Sequence, residues 1–349
     1  MFELPRLVRE NRKTSIMLLF VTVLYSSLFF AGLFVPRESG PSTLKSESAF
    51  TASQLKEKEA TARQNLMAQP KLVSSLSFIL LAVLAAGLAM DAYLLTRGFR
   101  ERPWARAISK AAMARWGVRE VIQVFVFMYF IEGLVFIAQT FWVWATGMEK
   151  IQQDFFLLGN TLFRNLSMVA FIWIILRLRG QSWRDLGIRG ESFFKNVKTG
   201  VLGYIAVIPP MFLIFFILAI LMQIFSYEPL PQNVVQIYLK KNPGSFLFLF
   251  TLFVVILGPV LEEIFFRGFA YPALKKRLGT FKAMTVTATV FATFHMSLTA
   301  FVPVFLLGFF LTYLYESSGS LVPSITAHML HNTLLVAVTL GFRSLAGSA

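Results

Sequence analysis

Long apolar runs alternate with short polar stretches along almost the whole chain. A bilayer core about 30 Å thick is crossed by about 20 apolar residues in a helix. Runs near that length fall at roughly 14–35, 72–96, 121–147, 155–177, 199–226, 245–268, 282–298, 300–316 and 320–342. The pattern predicts an all-α polytopic membrane protein of eight or nine transmembrane helices, the range set by the two shortest runs, 282–298 and 300–316. The first run follows a basic start (Arg6, Arg9, Arg12, Lys13). It is too long for the apolar part of a signal peptide and lacks an A-x-A cleavage site, so we read it as an uncleaved anchor. A short surface helix is expected near 52–68, within a loop rich in Ser, Thr, Gln, Lys and Glu.

Composition agrees with this reading. Of 349 residues, 56% are hydrophobic and 15% charged, too apolar a balance for a soluble α/β domain. The chain has no Cys, which excludes disulfides, thiolate zinc sites and a cysteine nucleophile. The net charge of +15 is read as cytoplasmic loops lying on anionic lipid, not as a nucleic-acid surface. Loops 97–120, 177–198 and 267–282 hold seven, six and five basic residues against two, two and no acidic ones. Loops 36–71, 148–154 and 227–244 are close to balanced. The alternation puts the N-terminus in the cytoplasm and, with nine spans, the C-terminus outside. The basic stretch 97–120 also marks a boundary between a two-span N-terminal hairpin, 1–120, and a multi-helix membrane domain, 121–349.

Ionisable groups at membrane depth cost about 2.5–3.5 kcal/mol each on insertion scales, so those present need partners or a wet cavity. GPVLEEIFFRGF (258–269) places two glutamates and an arginine inside a span. Gly258-Pro259 should kink or restart the helix just before them. Glu263 and Arg267 are i,i+4 and share a face, while Glu262 is turned about 100° away. One carboxylate reads as paired and the other as available. All three histidines, His295, His328 and His331, lie in the last third of the chain, within spans. FATFH puts Phe291 and His295 on one face, and HMLHN does the same for His328 and Asn332. Counted from the cytoplasmic ends, Glu262, His328 and His295 lie about 10, 12 and 20 Å deep. They can therefore meet at one level, on the last four spans. A carboxylate, imidazoles and an amide in a dry pocket suit hydrolysis: a base for water, a proton carrier and oxyanion donors. HExxH is absent, so this is not a zincin.

EEIFFR, FATFH and HMLHN, in that order, resemble the three motifs of the CPBP family, which includes the CAAX prenyl endopeptidases and bacteriocin-processing or immunity-linked membrane proteases. GFFLTYLYESSGSLVPSITAHMLHN (308–332) and WRDLGIR (183–189) are similar to flanking family segments, so the resemblance covers about 183–342. It implies an intramembrane glutamic protease of prokaryotic inner membranes. By position, Glu262 would activate water with His295, Glu263 would pair with Arg267, His328 and Asn332 would hold the oxyanion, and Phe291 would support the pocket wall. His331 falls at a variable position of the third motif and has no implied role. No cofactor is expected, although His and Glu also make zinc ligands and a metal-dependent protease is the alternative. A non-enzymatic scaffold, immunity factor or transporter could keep the same polar cluster for packing or binding. The expected partners are membrane lipid and a peptide or protein substrate.

Two further polar residues lie deep in the spans. Glu132 and Arg164 fall about 16 and 21 Å from the cytoplasmic end, close enough for an ion pair. Pro209-Pro210 should bend its helix. The charge alternation itself is testable, because the chain has no native Cys to interfere. Cysteines introduced at Ser48 and Ser109 should react with an impermeant maleimide from opposite sides of the membrane. Labelling of both from one side would overturn this topology.

Overall fold

The structure is a computed structural model, and it describes residues 52–101, 114–146, 153–188, 190, 192–227, 231–241 and 243–347. The first expected span, 14–35, lies outside the described residues. Among the described residues every regular element is helical: α1 (Ala52–Met67), α2 (Pro70–Glu101), α3 (Val118–Thr146), α4 (Gln153–Leu178), α5 (Phe193–Ile224), α6 (Asn233–Lys240), α7 (Ser245–Leu278), α8 (Thr280–Phe294), α9 (Leu298–Ser318) and α10 (Leu321–Leu345). A single 3-10 turn, Trp183–Leu186, precedes α5.

Seven of these helices are long and apolar enough to cross a membrane: α2, α3, α4, α5, α7, α9 and α10. The run 282–298 behaves differently. It forms α8, whose 15 residues reach only about 22 Å at 1.5 Å per residue. The helix ends because Met296 takes the left-handed conformation, φ 47°, which an L-residue with a long side chain rarely adopts. Ser297 then caps α9 by accepting from the Ala300 N–H at 3.3 Å. Apolar residues continue through this turn, so hydropathy alone does not reveal the break.

The described residues form two compact units. Residues 115–181, with α3 and α4, make one. In it, Phe127 and Phe171 stack with ring centroids 4.4 Å apart. Glu132 and Arg164 meet at 3.3 Å, each about one-third exposed. Arg179 pairs with the buried Glu120, and Gln181 accepts from the Arg115 N–H at 2.7 Å.

Residues 52–101, 114 and 182–347 make the other unit, with α1, α2 and α5–α10. Its core joins Tyr204, Val207 and Met211 of α5 to Leu307, Leu311 and Leu314 of α9 and Ala327 of α10. Glycines permit the helices to approach closely. A Cβ on Gly87 would lie 2.5 Å from Pro209, on Gly200 2.6 Å from the Pro323 carbonyl, and on Gly203 2.8 Å from Leu314. Small residues serve this purpose in membranes, where packing rather than hydrophobic exclusion drives helix association. Helix α5 is continuous through Pro209 and Pro210.

Polar contacts sort the connecting segments of this unit into two sets. At one end, the Leu321 N–H donates to the Gly187 carbonyl at 3.0 Å, Lys275 pairs with Glu316 at 2.5 Å, and Lys276 donates to the Ala114 carbonyl. At the other, Asn65 of α1 donates to the Leu345 carbonyl at 2.7 Å, and Arg343 donates to the carbonyls of Tyr238 and Lys241 at 3.2 and 2.5 Å. The first set draws on Ala114, Gly187, Lys275 and Lys276, from the basic stretches of the sequence, and the second on Asn65, Tyr238 and Lys241, from near-neutral ones.

The Glu132–Arg164 contact makes a stability prediction. An orphaned polar partner costs about 1–3 kcal/mol, and more where lipid replaces water. Glu132→Gln should lower the melting temperature more than the double change Glu132→Gln with Arg164→Met. Additive losses in that cycle, measured in detergent, would show that the two residues act independently.

Candidate active site

Helix α7 is not uniform. Its turns widen to π geometry over Phe253–Leu257 and again over Ile264–Ala270. The Gly258 N–H bonds to the Phe253 carbonyl and the Tyr271 N–H to the Phe266 carbonyl, each five residues back. Each is followed at once by a proline, Pro259 and Pro272. Proline has no N–H to continue the ladder, so the α register restarts there. An extra residue per turn rotates everything downstream, which is why such turns collect at functional sites. Glu262 and Glu263 sit in the short α-helical piece between the two wide turns.

Glu263 and Arg267 are fully buried. Arg267 Nη1 donates to Glu263 Oε1 at 2.7 Å and Nη2 to the Gly308 carbonyl at 3.0 Å. Its guanidinium lies 4.4 Å from the ring centre of Phe291, which adds a cation–π contact. Thr312 Oγ1 also donates to the Gly308 carbonyl, at 2.8 Å. Glu263 Oε1 has a second partner, His328 Nδ1, at 2.9 Å. A carboxylate only accepts, so Nδ1 is the donor in that bond and Nε2 is turned away from Glu263.

Glu262 faces elsewhere. Its side chain keeps 38% of its exposure, against none for Glu263. Its Oε2 lies 3.8 Å from His328 Nε2, beyond a hydrogen bond, and among the described residues that oxygen has no hydrogen-bond partner. His328 thus stands between the two glutamates, held by one and facing the other. His295 ends α8, with Nδ1 2.9 Å from the Phe291 carbonyl. Phe291 joins the two histidines, its ring centre 4.8 Å from that of His295 and 5.7 Å from that of His328. Asn332 Nδ2 donates to the Val254 carbonyl in the first wide turn at 2.8 Å. His331 faces α5, with Nδ1 3.5 Å from Tyr204 Oη.

The helices α7, α8 and α10 therefore bring Glu262, Glu263, Arg267, Phe291 and His328 together directly, with His295 reaching them through Phe291. Sequence reasoning missed Gly308, Tyr204 and Val254. Two of these act through backbone carbonyls, which no side-chain pattern can announce. Gly308 carries a faint signal, since a Cβ there would lie 2.9 Å from the Phe291 ring. Among the described residues no three His, Cys, Asp or Glu side chains are grouped to share one ion.

Comparison with known proteins meets this geometry on the same helices. Residues 244–334 match the family model for type II CAAX prenyl endopeptidase Rce1-like proteins. Among curated proteins, the "Putative membrane peptidase YdiL" of Bacillus subtilis (strain 168) is 32% identical over 85 residues, 24% of this chain and 35% of that one. The match thus spans about a third of the relative's length. No solved structure matches the chain. The matched segment runs from the start of α7 into α10 and contains every residue named above except Tyr204.

The shared use of Glu263 makes its loss costly. Glu263→Gln leaves Arg267 sealed without a counter-charge, for which breaking a buried pair suggests about 3–5 kcal/mol. Replacing both, Glu263→Gln with Arg267→Met, should recover part of that loss. Thermal unfolding in detergent measures both, and a double variant no more stable than Glu263→Gln alone would mean the pair does not carry the cost.

Proposed function

We propose that this chain, whose residues 244–334 match the family model for type II CAAX prenyl endopeptidase Rce1-like proteins, is a CPBP-type endopeptidase that cleaves a membrane-associated or lipidated peptide with water activated by Glu262. The observation that carries the reading is the unequal fate of the two glutamates. Glu263 is fully buried, with Oε1 held by both Arg267 and His328, while Glu262 keeps 38% of its side-chain exposure and sets Oε2 3.8 Å from His328 Nε2.

The chemistry follows from those positions. A water held by Glu262 and His295 loses a proton to Glu262 as its oxygen bonds to the scissile carbonyl carbon. The carbonyl oxygen becomes an oxyanion, which protonated His328 Nε2 and the second N–H of Asn332 stabilise. When the C–N bond breaks, Glu262 returns its proton to the leaving amine, and a carboxyl and an amine product result. Glu263 does not exchange protons in this scheme. It orients His328 through Nδ1 and steadies the imidazolium. The scheme uses this chain's own side chains alone and routes no step through a metal. We place the end with the basic loops in the cytoplasm of a bacterial or archaeal cell, so that the substrate reaches the site from that side.

Glu262→Gln tests the reading. It keeps size and hydrogen bonding but removes the base, so turnover should fall by about 10²–10⁴-fold. His295→Ala should lower it in the same sense, with unfolding unchanged in both. The readout is the set of new peptide termini in membranes carrying the wild-type protein or the variant. Identical termini in both would favour a non-enzymatic scaffold. Stoichiometric zinc, lost together with activity and restoring it on return, would replace the glutamate mechanism.

A further inference from the structure

Val254 lies in the first wide turn of α7. In the α register its carbonyl would accept from the Gly258 N–H, but that N–H is spent on Phe253, five residues back. In the wide register it would accept from residue 259, which is proline and has no N–H. The Val254 carbonyl is therefore left without a backbone donor inside a membrane-spanning helix, where no lipid can satisfy it. Asn332 supplies the missing donor at 2.8 Å.

That bond does more than fill a gap. It runs from α7 to α10 one turn beyond His328, so it ties the rotation of the helix that carries His328 to the helix that carries both glutamates. It also settles which end of the amide points where. A carbonyl accepts only from nitrogen, so the Asn332 amide cannot flip, and its second N–H has a defined direction.

We propose that Pro259 frees the Val254 carbonyl in order to hold Asn332, and that the two act as one positioning unit for the hydrolysis. The positioning part rests on the protease reading above, while the bond does not. An alanine at this position would return an N–H to the ladder and compete with Asn332 for the carbonyl. In a helix interior Pro→Ala ordinarily stabilises. The signature of the unit is therefore a slower enzyme that is no less stable, which a merely structural proline would not give.

The test uses the full chain in detergent with Pro259→Ala, Asn332→Ala and the double variant. Melting temperature needs no catalysis. Asn332→Ala should lower it in the parent and lower it much less in the Pro259→Ala background. Equal losses in both backgrounds would overturn the cap. Pro259→Ala should reduce kcat by about 10–100-fold, the penalty of slight misplacement, with KM changed less than about threefold. The double variant should be no slower than Asn332→Ala alone. An unchanged kcat in Pro259→Ala, or losses that multiply, would overturn the positioning role. Pro259→Gly restores the same N–H and should repeat the kinetic pattern; disagreement between the two replacements would also overturn it. If Glu262→Gln leaves cleavage intact, the protease reading fails instead, and the melting cycle still decides the bond.

Discussion

The ion pair between Glu263 and Arg267 is the constraint around which the larger unit is arranged. Both side chains are sealed from solvent within one helix. A charge pair in so dry a place needs further partners for its donors and acceptors. Glu263 Oε2 and Arg267 Nε have none among the described residues, and the partners that the other atoms find lie on three other helices. The Gly308 carbonyl on α9 takes one N–H of Arg267, Phe291 on α8 covers the guanidinium face, and His328 on α10 takes the second bond to Glu263. Four helices are fixed relative to one another by one buried pair. The apolar core of α5, α9 and α10 adds packing, but it carries no comparable directional demand.

Backbone geometry answers to the same membrane. A helix normally hides its own polar groups from lipid, and α7 gives up part of that protection twice, at wide turns that precede Pro259 and Pro272. Such departures persist only where protein supplies the missing partner. At the first, Asn332 does so. The turn after α8 is a third departure: α8 stops at His295 after about 22 Å, short of a full crossing. Irregular backbone at depth is tolerated where it is buried in protein or borders water. The three irregularities carry or adjoin Val254, Arg267 and His295, all tied to the candidate site.

Much of this was legible in the chain because its signals are local. Long apolar runs announce helices, i,i+4 spacing announced the Glu263–Arg267 contact, and opposite charges at similar depth announced Glu132–Arg164, found at 3.3 Å. What escaped was non-local or carried by the backbone. The end of α8 depends on a positive φ at Met296, a residue with no preference for it. The partners of Arg267 and Asn332 include carbonyls of Gly308 and Val254, whose identity depends on helix register. His331 was visible as a histidine at depth, but its contact with Tyr204 joins residues far apart in sequence. The charge boundary at 120 and the compact units are different kinds of division. The first follows composition along the chain, while the second follows packing, and α2 packs with α5 through Gly87 and Pro209.

Adjacent glutamates are a poor way to place two like charges unless something separates their roles. A helix does so by geometry, since consecutive residues diverge by about 100°. Glu263 points into the ion pair with Arg267. Glu262 diverges from that pair and keeps 38% of its side-chain exposure. His328 reads both, because its two ring nitrogens face opposite carboxylates: Nδ1 is committed to Glu263 and Nε2 lies 3.8 Å from Glu262. The Glu262 side therefore leaves a carboxylate oxygen and a ring nitrogen facing one another across a gap too wide for a hydrogen bond. The arginine and the histidine hold one carboxylate in place, and the geometry of the helix turns the other away from both commitments.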